Sequence, residues 1–129
     1  MTVAAARRRA ARRLATPEGQ RLFDDFVDQD GRALALNVKA AENSTADILA
    51  SLYLVDGDAT IRCHTDLLFA FTAPGSGVIH VCGERFIQFA LKTKGGEILL
   101  IHELLHSLGL GENPPTTSRI TNAVLKRCG

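Results

Sequence analysis

The chain has 129 residues, of which 46% are hydrophobic and 22% are charged, as is usual for one compact globular domain. Its formal net charge of +1 argues against a dedicated binder of nucleic acids or membrane surfaces. No apolar run reaches the ~20 residues that a membrane-spanning helix needs, so we expect no membrane span.

Residues 1–15 consist almost wholly of alanine and arginine. We expect them to form a flexible or helical basic arm without an apolar face, ahead of a single domain over residues 16–129. Five of the fifteen basic side chains lie in the first thirteen residues, so the remainder carries ten basic and fourteen acidic side chains. A nucleic-acid contact of the arm is an alternative, but no aromatic residue is interleaved there to stack on bases.

Apolar residues at helical spacing and short alternating runs follow one another along the rest of the chain. The helical spacing predicts helices over residues 16–30, 43–53, 83–91, 97–108 and 118–126. Alternating runs predict strands near residues 59–63, 67–71 and 78–82. A strong turn signal at residues 74–77 predicts a hairpin over residues 67–82. The pattern therefore predicts an α+β fold, with helices packed on a small sheet or hairpin.

The motif His102-Glu103-x-x-His106 lies in the fourth predicted helix, near the C-terminus. Residues four apart share one face of a helix, so the two imidazoles can bind one zinc ion together. Glu103 lies one position further round the helix, where it can reach a water on the metal without binding the metal itself. The motif predicts one Zn²⁺ per chain, with His102 and His106 as ligands and Glu103 as the catalytic base.

A zinc site of this kind needs a third protein ligand. After His106 the chain contains no histidine and no aspartate, and Glu112 is its single glutamate. Gly109 can take a positive φ, end the helix and turn the chain back toward the metal. We therefore expect Glu112 to be the third ligand. The alternatives are ligands from upstream, which are His64, His80 and Asp66.

The stretch from His102 to Glu112 resembles the zinc-binding signature of the zincin metallopeptidases, in the HExxHxxGxx form of the metzincins. The resemblance implies a zincin-like domain with His102 and His106 as ligands, Glu103 as general base, Gly109 as the turn glycine and position 112 as third ligand. Two features depart from the metzincin pattern: position 112 is Glu rather than His or Asp, and the only methionine is Met1.

A second resemblance covers most of residues 17–129. Residues 70–76, 81–83 and 101–115 are similar to a group of short bacterial proteins described as zinc metallopeptidases. In zincins a peptide substrate binds alongside an edge strand above the active-site helix, through backbone hydrogen bonds. The resemblance therefore implies an edge strand for peptide binding in this chain. Its candidate residues are Val78, Ile79, His80 and Val81.

The predicted activity is zinc-dependent hydrolysis of a peptide bond in a peptide or protein substrate. Zinc would acidify a bound water, and Glu103 would take its proton and deliver it to the leaving amine. The candidates for a further stabilising side chain are Tyr53, His64, His80 and Arg119. The alternative is a non-catalytic zinc-binding interaction module, in which the metal fixes the C-terminal turn and no substrate is cut.

The three cysteines are too few for a disulfide scaffold. One pair is possible, and Cys63 with Cys82 is the pair that we expect; reduced thiols throughout are the other interpretation. The basic N-terminus is not followed by the apolar segment of a signal peptide. The compartment stays open between secreted or periplasmic, if a leader preceded the chain, and cytoplasmic. The oligomeric state also stays open.

Overall fold

The computed structural model of the chain describes residues 2–65, 69–86 and 94–129, and it has an α+β fold, as the sequence predicts. The helices are α1 (Val3–Leu14), α2 (Pro17–Gln20), α3 (Leu34–Ala40), α4 (Thr45–Ser51), α5 (Ile61–Thr65), α6 (Gly83–Arg85), α7 (Gly95–Ser107) and α8 (Thr117–Cys128). A 3-10 turn at Arg21–Asp24 follows α2 directly. The strands are β1 (Tyr53–Asp56), β2 (Ala70–Phe71) and β3 (Val78–Val81).

Helix α7 is the centre of the core. It packs against α1 and α8, and it also contacts β2. Four of its apolar side chains are at most 1% exposed: Leu100, Ile101, Leu104 and Leu105. A helix that is buried on most of its surface is held rigidly by its neighbours, so side chains on α7 have fixed positions.

Helix α1 is part of this core. Ala6, Ala10 and Leu14 lie four residues apart and are completely buried, and Arg13 binds the buried Glu97 of α7 at 3.0 Å. The prediction that residues 1–15 have no apolar face is therefore wrong. Alanines at helical spacing make a narrow apolar face, along which two helices can approach closely.

The sheet has the strand order β1-β3-β2. β1 pairs with β3 in parallel, with Tyr53 opposite Val78, and β2 pairs with β3 antiparallel, with Phe71 opposite His80. The prediction that Val78–Val81 is an edge strand is therefore wrong, because β3 has a neighbour on each side. The sequence missed the second neighbour because it predicted a helix as far as Tyr53, whereas α4 ends at Ser51.

Two other predicted elements differ. The strand predicted at residues 59–63 is replaced by α5. The Thr60 hydroxyl starts this helix by accepting the Cys63 N–H at 3.4 Å. The first predicted helix ends at Gln20 and passes into the 3-10 turn. Val27 lies beyond it, pairs with Ala33 in an isolated bridge and is 52% exposed.

The remaining predictions agree with the structure where it describes them. β2 and β3 are antiparallel, as the hairpin prediction requires, although residues 67 and 68 lie outside the described residues. The helix predicted over residues 83–91 begins as α6, and residues 87–91 also lie outside them. The helix predicted over residues 118–126 is present as α8, in which Ile120 and Val124 are buried and Leu125 is 41% exposed. Across the described ranges, no helix combines the length and the apolar character that a membrane span requires.

Candidate metal centre

The two histidines of the motif face each other on α7. Their Nε2 atoms are 3.2 Å apart, and the side chains of His102 and His106 are 6% and 3% exposed. Two nitrogens that bind one tetrahedral zinc ion at 2.0–2.1 Å lie roughly 3.3 Å from each other. The spacing of this pair therefore fits a shared metal ion.

The outward nitrogen of each ring has a hydrogen-bond partner. His106 Nδ1 lies 2.8 Å from the Leu110 carbonyl oxygen, and His102 Nδ1 lies 3.1 Å from the Thr121 hydroxyl on α8. A carbonyl oxygen only accepts, so His106 Nδ1 carries a proton, and in the Nδ1–H tautomer the lone pair on Nε2 points toward His102. Outer partners of this kind orient the histidine ligands in metal sites.

The C-terminal end of α7 explains why the Leu110 carbonyl lies so close to His106. The Gly109 N–H donates to the His106 carbonyl at 2.9 Å, and the Leu110 N–H donates to the Leu105 carbonyl at 3.1 Å. This is the Schellman pattern, which places a left-handed residue directly after the helix. Gly109 has φ 114°, a conformation open to glycine, so the predicted turn back is present here.

Glu103 is a buried carboxyl group, 4% exposed. Its Oε2 atom has no hydrogen-bond partner among the described residues. Burial raises the pKa of Glu103 to about 8; the nearby charge of Glu112 raises it as well, and that of Arg62 lowers it. Burial also lowers the pKa of His102 to about 4, with a smaller contribution from His106. An unpartnered buried carboxyl oxygen on the helix that carries the two histidines is typical of a functional site.

Glu112 lies close enough to Glu103 for its charge to act on that carboxyl group, and its own side chain contacts a cation. Its Oε2 atom is 3.8 Å from Nη2 of Arg62, and its side chain is 39% exposed. Within residues 2–65, 69–86 and 94–129, no three side chains of His, Cys, Asp or Glu are grouped so that they could hold a metal. The assignment of Glu112 as third ligand therefore stays a prediction.

The upstream candidates lie in different places. His64 is on the exposed surface of α5, and Asp66 lies outside the described residues. The ring of His80 stacks on Phe71 with centroids 4.9 Å apart. Of the further candidates for a stabilising side chain, Tyr53 is 72% exposed on β1, and Arg119 lies over the Phe26 ring at 6.0 Å.

Arg62, like Thr121, lies near this site although the sequence did not indicate it. Its guanidinium lies 4.7 Å from the centroid of the Phe71 ring, on the side of the site that holds Glu112. The next residue, Cys63, forms a disulfide with Cys82 and so ties α5 to the end of β3. This disulfide is the expected pair, and Cys128 is free and buried. Only the cysteine pair in the sequence could have indicated that Arg62 lies close to the motif.

The chain was compared with protein-family models, with curated proteins and with solved structures, and none of them matches it.

Proposed function

We propose that this protein is a minimal zinc-dependent metallopeptidase with a zincin-like domain. His102, His106 and Glu112 would hold the zinc ion, and Glu103 would be the catalytic base. The observation that carries the proposal is the histidine pair. Its two Nε2 atoms face each other at 3.2 Å, and the outward nitrogen of each ring has its own partner. The Leu110 carbonyl leaves a lone pair on His106 Nε2, and the 3.2 Å spacing of the two nitrogens matches that of two ligands on one tetrahedral zinc ion.

Zinc bound here would act as a Lewis acid on the carbonyl of the scissile peptide bond and would lower the pKa of a water. Two observations on Glu103 support its proposed role as a proton carrier. Its Oε2 atom is free of hydrogen bonds to the described residues, and Glu103 directly follows His102 in α7. In the proposed reaction Glu103 would take a proton and pass it to the leaving amine. Burial keeps competing water away from this carboxyl group.

Glu112 is suited to change its partner when a cation binds. Its contact with Arg62 is long, at 3.8 Å, and both side chains are well exposed, at 39% and 44%. Exposed ion pairs of this kind contribute at most about 1 kcal/mol. A divalent cation at the histidines would therefore compete effectively for the Glu112 carboxylate.

The second candidate function is a non-catalytic zinc-binding module, and the burial of the site favours it. His102, Glu103 and His106 are all at most 6% exposed. Structural zinc sites are closed, whereas catalytic sites keep an open position for a water or substrate. The two functions differ in what Glu103 does, since a structural site has no need of its proton.

The test is metal analysis and a peptidase assay on the purified protein, with an unfolded protein as substrate. We expect one zinc per chain in the wild type, and loss of zinc in Glu112→Ala. Glu103→Gln should keep the zinc and lose at least 100-fold in hydrolysis, because general-base catalysis contributes about 10²–10⁴-fold. Glu42→Gln, at an exposed position, is the matched control and should behave as the wild type.

Each outcome decides between the functions. A wild type that binds one zinc but cuts nothing supports the interaction module. Full hydrolysis by Glu103→Gln with zinc retained would exclude Glu103 as the base. If Glu112→Ala retains its zinc, the third ligand lies upstream, and His64→Ala and His80→Ala are the next variants to analyse.

A further inference from the structure

Asn37 on α3 is joined to the end of α7, although it precedes Leu108 by 71 residues. Its side-chain amide Nδ2 donates to the Leu108 carbonyl at 2.9 Å and to Oδ2 of Asp28 at 3.0 Å. The last carbonyls of a helix have no partner within the helix. Asn37 supplies that partner for Leu108, the capping residue that directly follows α7.

Asp28 holds Asn37 in place. One of its carboxylate oxygens accepts the N–H groups of Asp30 and Arg32, each at 2.9 Å, and the other accepts the Asn37 amide. These hydrogen bonds lower the pKa of Asp28, the one from Asn37 most strongly. A carboxylate held by three donors has little freedom to rotate, so it fixes the orientation of the Asn37 amide.

This network ends at the histidine pair. Leu108 is followed by Gly109, whose Cα faces Asp28 so closely that a Cβ there would lie 3.0 Å from the Asp28 Cβ. The next residue, Leu110, presents its carbonyl to Nδ1 of His106 at 2.8 Å. The position of the Leu110 carbonyl therefore depends on the turn that Asn37 and Asp28 hold.

We infer that Asn37 is a positioning residue of the candidate metal centre: by holding the Leu108 carbonyl, it fixes the turn whose Leu110 carbonyl accepts the hydrogen bond from Nδ1–H of His106. Asn37 thereby keeps the His106 Nε2 lone pair directed at His102. The inference deepens the proposed function and rests on it for its effect on zinc affinity. The effect of Asn37 on which ring nitrogen of His106 carries the proton does not depend on zinc and can be measured in the metal-free protein.

The first measurement is the tautomer of His106 in the metal-free protein, from the nitrogen chemical shifts of the ring by NMR. The wild type should carry its proton on Nδ1. Asn37→Ala should show averaged nitrogen shifts, because the Leu110 carbonyl is no longer held. Lys39→Ala, at an exposed position of the same helix, is the matched control and should keep the wild-type tautomer.

The second measurement is zinc affinity, by competition with a chromogenic chelator. Loss of an outer partner lowers metal affinity by about 10–100-fold, so we expect a loss of about 10-fold for Asn37→Ala and none for Lys39→Ala. If Asn37→Ala does not fold, Asn37→Ser replaces it, since the shorter side chain cannot reach both partners. Thermal unfolding of each variant separates a loss of stability from a loss of positioning.

The outcomes are distinct from those for the proposed function. A variant at Asn37 that is less stable, but keeps a single Nδ1–H tautomer, would overturn the inference. Wild-type protein that binds no zinc would refute the proposed function, while the tautomer measurement would still decide the role of Asn37.

Discussion

Replacement of Gly109 by alanine tests how the end of α7 is built. Gly109 has φ 114°, where an L-residue is strained, and the new methyl group would lie 3.0 Å from the Asp28 Cβ. Gly31 is the matched control, because it also has a positive φ, of 82°, but nothing lies within 4 Å of the position of its Cβ. The two substitutions therefore share the conformational cost and differ in the steric contact.

The conformational cost of a side chain in the left-handed region is about 1–2 kcal/mol. Forcing an extra methyl group into a packed contact costs about 1–3 kcal/mol more. We therefore expect Gly109→Ala to lower the free energy of unfolding by about 2–5 kcal/mol, and Gly31→Ala by about 1–2 kcal/mol. Domains of this size are stable by about 5–15 kcal/mol, so both variants should fold.

The measurement is urea unfolding of both variants and the wild type, followed by circular dichroism and extrapolated linearly to water. Equal losses for Gly109→Ala and Gly31→Ala would refute the argument, because they would show that Asp28 moves away at no cost. A larger loss for Gly109→Ala supports the close packing of the Asp28 turn on the end of α7.

Three further predictions concern other parts of the fold. Arg13→Ala should lower the free energy of unfolding by about 3 kcal/mol, because it removes the nearer of the two guanidinium groups that contact the buried Glu97 carboxylate. Arg9→Ala, at a 56% exposed side chain 3.9 Å from the same carboxylate, should cost below about 1 kcal/mol. Equal losses for the two variants in urea unfolding would contradict this. The disulfide links Cys63 and Cys82 across a sequence separation of 19 residues. Replacing both cysteines by alanine should lower the free energy of unfolding by about 3 kcal/mol. A reductant should lower the stability of the wild type and leave that of the double variant unchanged. The pKa of Asp28 is lowered in the folded protein, so its carboxylate stabilises the fold fully above the ordinary pKa of 3.8 and less as the pH falls through the lowered pKa. The difference in melting temperature between the wild type and Asp28→Asn should therefore shrink below about pH 4. A difference that stays constant with pH would contradict this role of Asp28.

The predicted elements failed where tertiary contacts outweigh local preference. Tyr53 continues the helical spacing of Leu49 and Leu52, but its segment leaves the helix and pairs with β3. The alanines of α1 look like a featureless helix in sequence, because an alanine face becomes apolar packing only when another helix lies against it. Both errors concern long-range contacts, which a local pattern does not contain.

In the candidate site, too, the sequence indicated the local features and not the contacts between distant segments. The spacing of His102 and His106 and the position of Gly109 were readable, because helical periodicity and positive φ are local properties. Thr121 and Arg62 could not be assigned, because each comes to the site from another element. The one long-range relation that the sequence indicated was the pair Cys63 and Cys82, since cysteines are rare in this chain.

By itself, the sequence determined the α+β class, the helix that carries the motif, and the facing of its two histidines. Only the tertiary structure decided that β3 is a central strand, that the basic N-terminal segment belongs to the core, and that Asn37 and Asp28 hold the turn beneath His106. The physical reason is the distance along the chain over which each kind of interaction acts. Backbone geometry acts over a few residues, whereas the partners of a buried polar group are chosen by whichever distant segment packs against it.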